Sequence, residues 1–179
     1  MDRTEQSQKG SYYDSGDPLS IRFATRDDLN ALEWDGEYTH YRRLFERAIE
    51  EARRGRRILL LAEIEGQLVG QLFVQLSPRA KSSTASISSG YMYAFRVKTP
   101  YRNQGVGSQL IHEAEQNLSN RGYIRAVITV EKRNVAARRL YERAGYAVVR
   151  ENSGEWSYID HEGKLQEVRE PAFVLEKWL

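Results

Sequence analysis

An α/β domain with a mixed sheet is what this sequence predicts, on three observations. Segments of helical period alternate with segments of strand period along most of the chain. Two strand-like runs, Arg57–Ile64 and Gln67–Leu76, are separated only by Glu65-Gly66, a hairpin signal. Further on, the strand-like run 91–97 passes through a glycine-bearing turn into an amphipathic helix. A short β-branched run, residues 124–130, follows that helix. Strand, crossover helix and strand in that order place two strands side by side in parallel.

Each element has its own local reason. Residues 1–18 are polar, with Gly10, Ser11, Ser15, Gly16 and Asp17, and are expected to form a flexible tail before a domain spanning 19–179. Residues 19–24 alternate apolar and polar, as a first strand does. Thr25 offers an N-cap oxygen, and Asp27 and Asp28 suit the first turn of a short helix running to Trp34. Residues 38–54 carry Tyr41, Leu44, Phe45, Ala48, Ile49 and Ala52 on one helical face, with Gly55 as a stop. After the hairpin, the serine-rich residues 77–89 predict a loop or ragged strand ends. The helix after the glycine turn buries Val106, Leu110, Ile111, Ala114 and Leu118, and Gly122 ends it. Asn134 caps a further helix holding Ala137, Leu140, Tyr141 and Ala144, closed by Gly145. Residues 146–150 predict a strand, 156–168 a hairpin turning at Asp160-His161-Glu162-Gly163-Lys164, and 172–178 the last strand.

Composition narrows the function classes. The chain has 179 residues, 40% hydrophobic and 29% charged, which is ordinary for one globular domain. Its longest apolar run, residues 58–62, falls far short of the roughly 18 residues of a membrane span. The polar N-terminus has no apolar signal-peptide core, and no membrane partner is expected. Cysteine is absent, which excludes disulfides, a thiolate nucleophile and thiolate-bound metals and fits a cytoplasmic setting. The three histidines, His40, His112 and His161, show no ligand spacing, so no metal is expected. Arginines cluster at 42–57 and 133–143, but glutamates are interleaved and the net charge is only +2. These are read as solvated helix faces rather than a nucleic-acid surface. A homodimer is left open.

The turn Tyr101-Arg102-Asn103-Gln104-Gly105-Val106-Gly107 is the first candidate site. A helix start leaves about four N–H groups unpaired and carries a partial positive charge, so an anion can sit there. Gly105 and Gly107 would let a phosphate approach without a Cβ in the way. The same glycines could simply make a tight connection.

Arg102-x-x-Gly105-x-Gly107 after a strand resembles the pyrophosphate-binding motif of the GNAT superfamily of N-acetyltransferases. Asn134-x-x-Ala137-x-x-Leu140-Tyr141-Glu142-Arg143-Ala144-Gly145-Tyr146 resembles that superfamily's second signature. The resemblance covers about residues 19–179. It implies the GNAT fold: a central mixed, mostly antiparallel sheet with a splayed parallel strand pair and helices on both faces. It also implies acetyl-CoA as co-substrate and direct transfer to a small-molecule or peptide amine in a ternary complex. By resemblance the pantetheine arm lies between the splayed strands against the main chain around Phe95, Arg96 and Val97. The pyrophosphate would rest on Arg102, Asn103, Gln104, Gly105, Val106, Gly107 and Ser108.

Asn134 and Tyr141 lie close to two helical turns apart and share a face. The resemblance makes Asn134 a contact for the CoA arm and Tyr141 the general acid; a plain N-cap and a core aromatic are the alternatives. Phe95 and Val97 can also serve as core side chains while their backbones bind. No base is evident: of the inward candidates Tyr93, Phe95 and Thr129, none accepts a proton at neutral pH. Glu131 is the nearest candidate base, but at the end of its strand it reads first as a solvated charge. Ordered water, Glu33, Asp35 or Glu37 could serve as base instead. By resemblance the segment 34–38 lies between the first two helices where this fold builds its acceptor site, and its Asp35 and Glu37 suit either a cationic amine or the capping of the next helix. The hairpin around Trp156 and Tyr158 is read as a lid or as ordinary packing. A CoA-binding module without turnover is the alternative function.

Overall fold

The structure, a computed structural model, describes residues 19–77 and 88–179. The expected tail and nearly all of the expected 77–89 loop lie outside the described residues. Nine strands and three α-helices are described: β1 (Ser20–Phe23), α1 (Arg42–Arg53), β2 (Arg57–Ile64), β3 (Gln67–Leu76), β4 (Ser89–Val97), α2 (Val106–Asn120), β5 (Arg125–Glu131), α3 (Val135–Arg143), β6 (Ala147–Asn152), β7 (Glu155–Ile159), β8 (Leu165–Arg169) and β9 (Ala172–Trp178). Seven strands form one sheet in the order β1-β2-β3-β4-β5-β9-β6, and β7 and β8 form a separate hairpin. Only β4 and β5 pair in parallel; every other pair is antiparallel. The mixed sheet with one parallel pair is the architecture expected.

Alternation along β2 explains the two layers. Ile58, Leu60 and Ala62 point to the face covered by α2, with Leu110, Ile111, Ala114 and Leu118. Leu59 and Leu61 point to the opposite face and meet Phe45, Ala48 and Ile49 of α1. All eight β2 side chains but Arg57 and Glu63 are buried, so both faces must be covered. Close approach of α2 also demands small residues beneath it: a Cβ at Gly90 would collide with Leu118.

Two local expectations change. The predicted helix from Thr25 to Trp34 is instead two single 3-10 turns, Arg26–Asp28 and Ala31–Glu33. Asp28 is the reason: its carboxylate accepts from the Thr25 N–H (2.7 Å) and hydroxyl (3.0 Å) and pairs with Arg22 (2.7 Å). That pull holds the first turn tight, and Trp34 (φ 48°) and Asp35 (φ 58°) then reverse the chain in left-handed conformations. The predicted 38–54 helix likewise begins as a 3-10 turn, Thr39–Tyr41, before α1 proper.

Candidate active site

The parallel ladder between β4 and β5 is short. It runs from Ser89 opposite Arg125 to Met92 opposite Ile128 and stops. Beyond it, Tyr93 to Val97 and Thr129 to Glu131 have no partner across the gap, so the strands splay. A bulge in β4 begins at the same place: Phe73 opposes Tyr93 and Gln71 opposes Arg96, leaving one β3 residue to face both Ala94 and Phe95. Ala94 sits at φ 49°, an uncommon conformation for a residue with a Cβ. The fully buried Gln71 steadies it, its Nε2 donating to the Ala94 carbonyl at 3.2 Å.

One extra residue flips the side-chain phase of β4. Met92 faces α2 and Tyr93 faces α1; after the bulge, Phe95 and Val97 face α2 and Arg96 turns to the α1 side. Tyr93 and Phe95, read together as inward candidates, therefore lie on opposite faces. Lys98 donates its N–H to Val69 of β3, so by alternation the main-chain groups of Val97 turn toward the gap.

The glycine turn follows. Asn103 (φ 59°) and Gly105 (φ 88°) both take left-handed backbone, and α2 starts at Val106. Among the described residues, no protein acceptor takes the N–H of Asn103, Gln104, Gly105, Val106, Gly107 or Ser108; the next, that of Gln109, donates to the Gly105 carbonyl at 3.0 Å. The turn is steadied by its own side chains: Arg102 Nε donates to the Val97 carbonyl (2.9 Å), Gln104 Nε2 to the Pro100 carbonyl (2.6 Å). Gly107 has a different reason from the one expected. Its missing Cβ would point inward, 3.2 Å from Leu140 and 3.3 Å from Phe95, so glycine here lets α2 approach α3 rather than clearing room for a phosphate.

Helix α3 brings Tyr141 to the same gap. Asn134 Oδ1 accepts from the Ala137 N–H at 3.1 Å, the N-cap the sequence allowed. Tyr141 is buried, its ring 6.0 Å from that of Phe95 and 6.4 Å from that of Tyr146. Burial, with a smaller contribution from the Tyr91 phenol, pushes its pKa upward. Tyr91 donates its hydroxyl to Thr129 Oγ1 at 3.1 Å. Glu131, at the end of β5, is ion-paired with Arg133.

The carboxylates before α1 separate into two kinds. Glu33 is buried, accepts from the Thr39 hydroxyl at 2.9 Å and is paired with Arg42, whose guanidinium lowers its pKa. It is a scaffold for this segment. Asp35 and Glu37 are exposed, and Asp35 stands 4.0 Å from Lys98 Nζ.

Sequence reasoning missed a cluster of rings and a cation on this side. The Arg96 guanidinium lies 4.2 Å above the Tyr38 ring and 5.4 Å from that of Tyr41. Tyr41 in turn meets Tyr158 (4.9 Å) and Trp156 (6.2 Å) of the β7–β8 hairpin. The hairpin thus packs on the segment before α1, a contact that both of its readings, lid and ordinary packing, allow. Its turn is built by Asp160, whose carboxylate accepts from the N–H groups of Glu162 and Lys164 and from Gln166 Nε2. Two signals pointed here: an arginine inside an otherwise uncharged strand, and Trp156 and Tyr158 spaced to share one strand face.

Comparisons with known proteins meet this geometry. Residues 26–146 match the family model described as Acetyltransferase (GNAT) family. An uncharacterised N-acetyltransferase of Methanocaldococcus jannaschii is 33% identical over 89 residues, 48% of this chain and 50% of that protein. The match therefore spans about half the length of that relative. The ribosomal-protein-S18-alanine N-acetyltransferase of Escherichia coli superposes with a TM-score of 0.67 at 19% identity, over 89% of this chain and 93% of that one. The Arabidopsis thaliana NAA60 structure in complex with acetyl-CoA gives 0.69 at 19% identity, over 90% and 98%. These two likenesses speak to the fold. With the family model matched across both the glycine turn and the α3 signature, the chain belongs to the GNAT family of acetyltransferases.

Proposed function

We propose that the protein transfers an acetyl group from acetyl-CoA directly to a primary amine in a ternary complex. The observation that carries this is the row of unclaimed N–H groups from Asn103 to Ser108, opening beside the splay of β4 and β5. Unpaired donors at a helix N-terminus suit a diphosphate, and a strand gap edged by free main-chain groups suits an extended amide-bearing arm. Residues 103–108 would hold the diphosphate, with Arg102 fixing the turn. Phe95 and the Val97 N–H would offer main-chain partners to the arm, the Val97 carbonyl being held by Arg102, and the Asn134 side chain, its Oδ1 engaged as a cap, would keep its amide N–H groups for it.

Bound acetyl-CoA supplies the thioester: the amine nitrogen bonds to the acyl carbon, the C–S bond breaks, and CoA departs as a thiol. Tyr141 donates the proton that the departing sulfur takes up. Its raised pKa keeps the phenol protonated across the neutral range, as an acid must be. The amine's own proton leaves to solvent past the Tyr91–Thr129 hydroxyl pair, since Glu33 is held ionised by Arg42 and is a poor acceptor. Asp35, Glu37 and Glu131 border the acceptor's way in. A small-molecule or peptide amine fits this entrance, and the absence of cysteine fits a cytoplasmic setting.

A screen of amines with acetyl-CoA, read by thiol release, tests the proposal. Release with at least one class of amine is expected. Tight CoA binding with no release from any amine would favour the second reading, a CoA-binding module, which the lack among the described residues of an unpaired carboxylate in the gap recommends.

A further inference from the structure

Among the described residues Arg96 is a cation without a counterion. The other partly buried arginines on the α1 side of the sheet are paired: Arg22 with Asp28 and Glu63, Arg42 with Glu33, Arg57 with Glu51. Among the described residues, no carboxylate lies within ion-pair reach of Arg96, and its Nη1 is buried with no hydrogen-bond partner. Burial lowers its pKa, and the Tyr38 and Tyr41 phenols and the exposed Glu37 only partly oppose that shift. Leaving a buried charged donor unsatisfied is unfavourable, and such groups are normally paired.

The setting says what pairs with it. The guanidinium lies over the Tyr38 ring, and its planar N–H fork has the geometry that takes a carboxylate in two hydrogen bonds. The β4 bulge turns Arg96 to the α1 face, one residue past the Phe95 that packs toward Tyr141, so it borders the opening through which the acceptor amine must come. Trp156 and Tyr158 reach Tyr41 from above and give that opening aromatic walls. Lys98, on the same strand face, is by contrast paired with Asp35 at 4.0 Å.

We propose that Arg96 recognises a carboxylate on the acceptor, so that the substrate class is an amine that also bears a carboxylate and has an apolar body. This rests on the acetyl-transfer reading for its amine but not for its anion site. It sets the acceptor apart from a polyamine, which Arg96 would repel. Free amino acids and peptides with an acidic residue near the N-terminus share this chemistry.

The test reads binding before turnover. The CoA-saturated protein is titrated with 3-phenylpropionate and with its amide, following tryptophan fluorescence. The acid should bind on the order of tenfold more tightly, and Arg96→Gln should erase that preference while CoA affinity and melting temperature hold. Arg96→Lys should keep part of it. Equal binding of acid and amide by the unaltered protein, a preference that survives Arg96→Gln, or a loss of CoA affinity in that variant would each overturn the assignment. The turnover arm compares phenylalanine with phenylalaninamide, and Asp-Phe-amide with Asn-Phe-amide. A preference in the first pair assigns free amino acids, in the second acidic peptides. Acid binding without any acetyl transfer would sink the transfer reading and leave this one standing; transfer with no preference in either pair would do the reverse.

Discussion

The two halves of the cleft are built from different material. The half proposed for the cofactor is main chain: unclaimed N–H groups at the start of α2, a bulged strand and a gap where a ladder stops. The half proposed for the acceptor is side chain: rings from the segment before α1, a guanidinium from β4 and an aromatic pair from the β7–β8 hairpin. A main-chain site depends on where the backbone goes and tolerates most side chains. A side-chain site depends on identities at positions more than a hundred residues apart, such as Tyr41 and Trp156. Changes of conformation should therefore break the first half, and changes of charge or ring the second.

The largest effect should come from Gly105→Glu. Gly105 stands at φ 88°, where any other residue is strained, and the substitution sets a carboxylate where a diphosphate would lie. CoA affinity should fall by about a thousandfold or more, measured by calorimetry. Retained affinity would mean that the turn is only a connection. Next is Tyr141→Phe, which removes a hydroxyl and leaves a ring of the same shape against Phe95. Turnover should drop by about a hundredfold with CoA affinity unchanged, the loss expected when a general acid is removed. Because burial raises the Tyr141 pKa, wild-type turnover should show no decline from deprotonation of this group up to mildly alkaline pH. A variant as active as the wild type would reduce Tyr141 to a core aromatic.

That asymmetry also explains what could be read in the sequence. The glycine turn announced itself because glycine in a strand-to-helix connection carries conformational information by itself. The elements around it followed from periodicity, down to the hairpin turn at Glu65-Gly66, which the structure keeps at positive φ. The β4 bulge was not legible. A single residue in left-handed backbone at Ala94 leaves no mark in composition, yet it decides that Phe95 packs beneath the gap while Arg96 enters the acceptor side. Gly107 was legible as a glycine and misleading as to purpose, since its missing Cβ accommodates Leu140. Glu33 looked like a free carboxylate because nothing local reveals the distant-facing Arg42 and Thr39 that hold it.

Glu33→Gln sharpens the comparison at a middle size. It leaves the Arg42 Nε, already buried, without its anion and loosens the turn that presents Tyr38 and Tyr41. A loss of about 2 kcal/mol in urea unfolding is expected, with weaker acceptor binding. CoA affinity should not move, because no hydrogen bond or ion pair of the glycine turn runs through this segment. If CoA affinity weakened in step with acceptor binding, the halves would not be independent.

The smallest effect is electrostatic and falls at the edge of the acceptor half. Arg22, with help from the Thr25 N–H and hydroxyl, lowers the Asp28 pKa from an ordinary 3.8 to about 2. A carboxylate with a depressed folded-state pKa stabilises fully above its unfolded value and loses that contribution as pH falls through the folded one. The contribution of Asp28 is therefore present at pH 5 and fades between about pH 4 and pH 2. Since Arg22 is partly exposed, solvent screening holds it to about 1 kcal/mol. Asp28→Asn keeps an acceptor oxygen for Thr25 and removes only the charge. Urea unfolding should show the wild type more stable than this variant by about 1 kcal/mol at pH 6, with the gap closing near pH 2 and narrowing in high salt. A gap that stayed constant with pH would assign the role of Asp28 to its hydrogen bonds alone, and the 3-10 turn at Arg26–Asp28 would then rest on geometry rather than on its ion pair with β1.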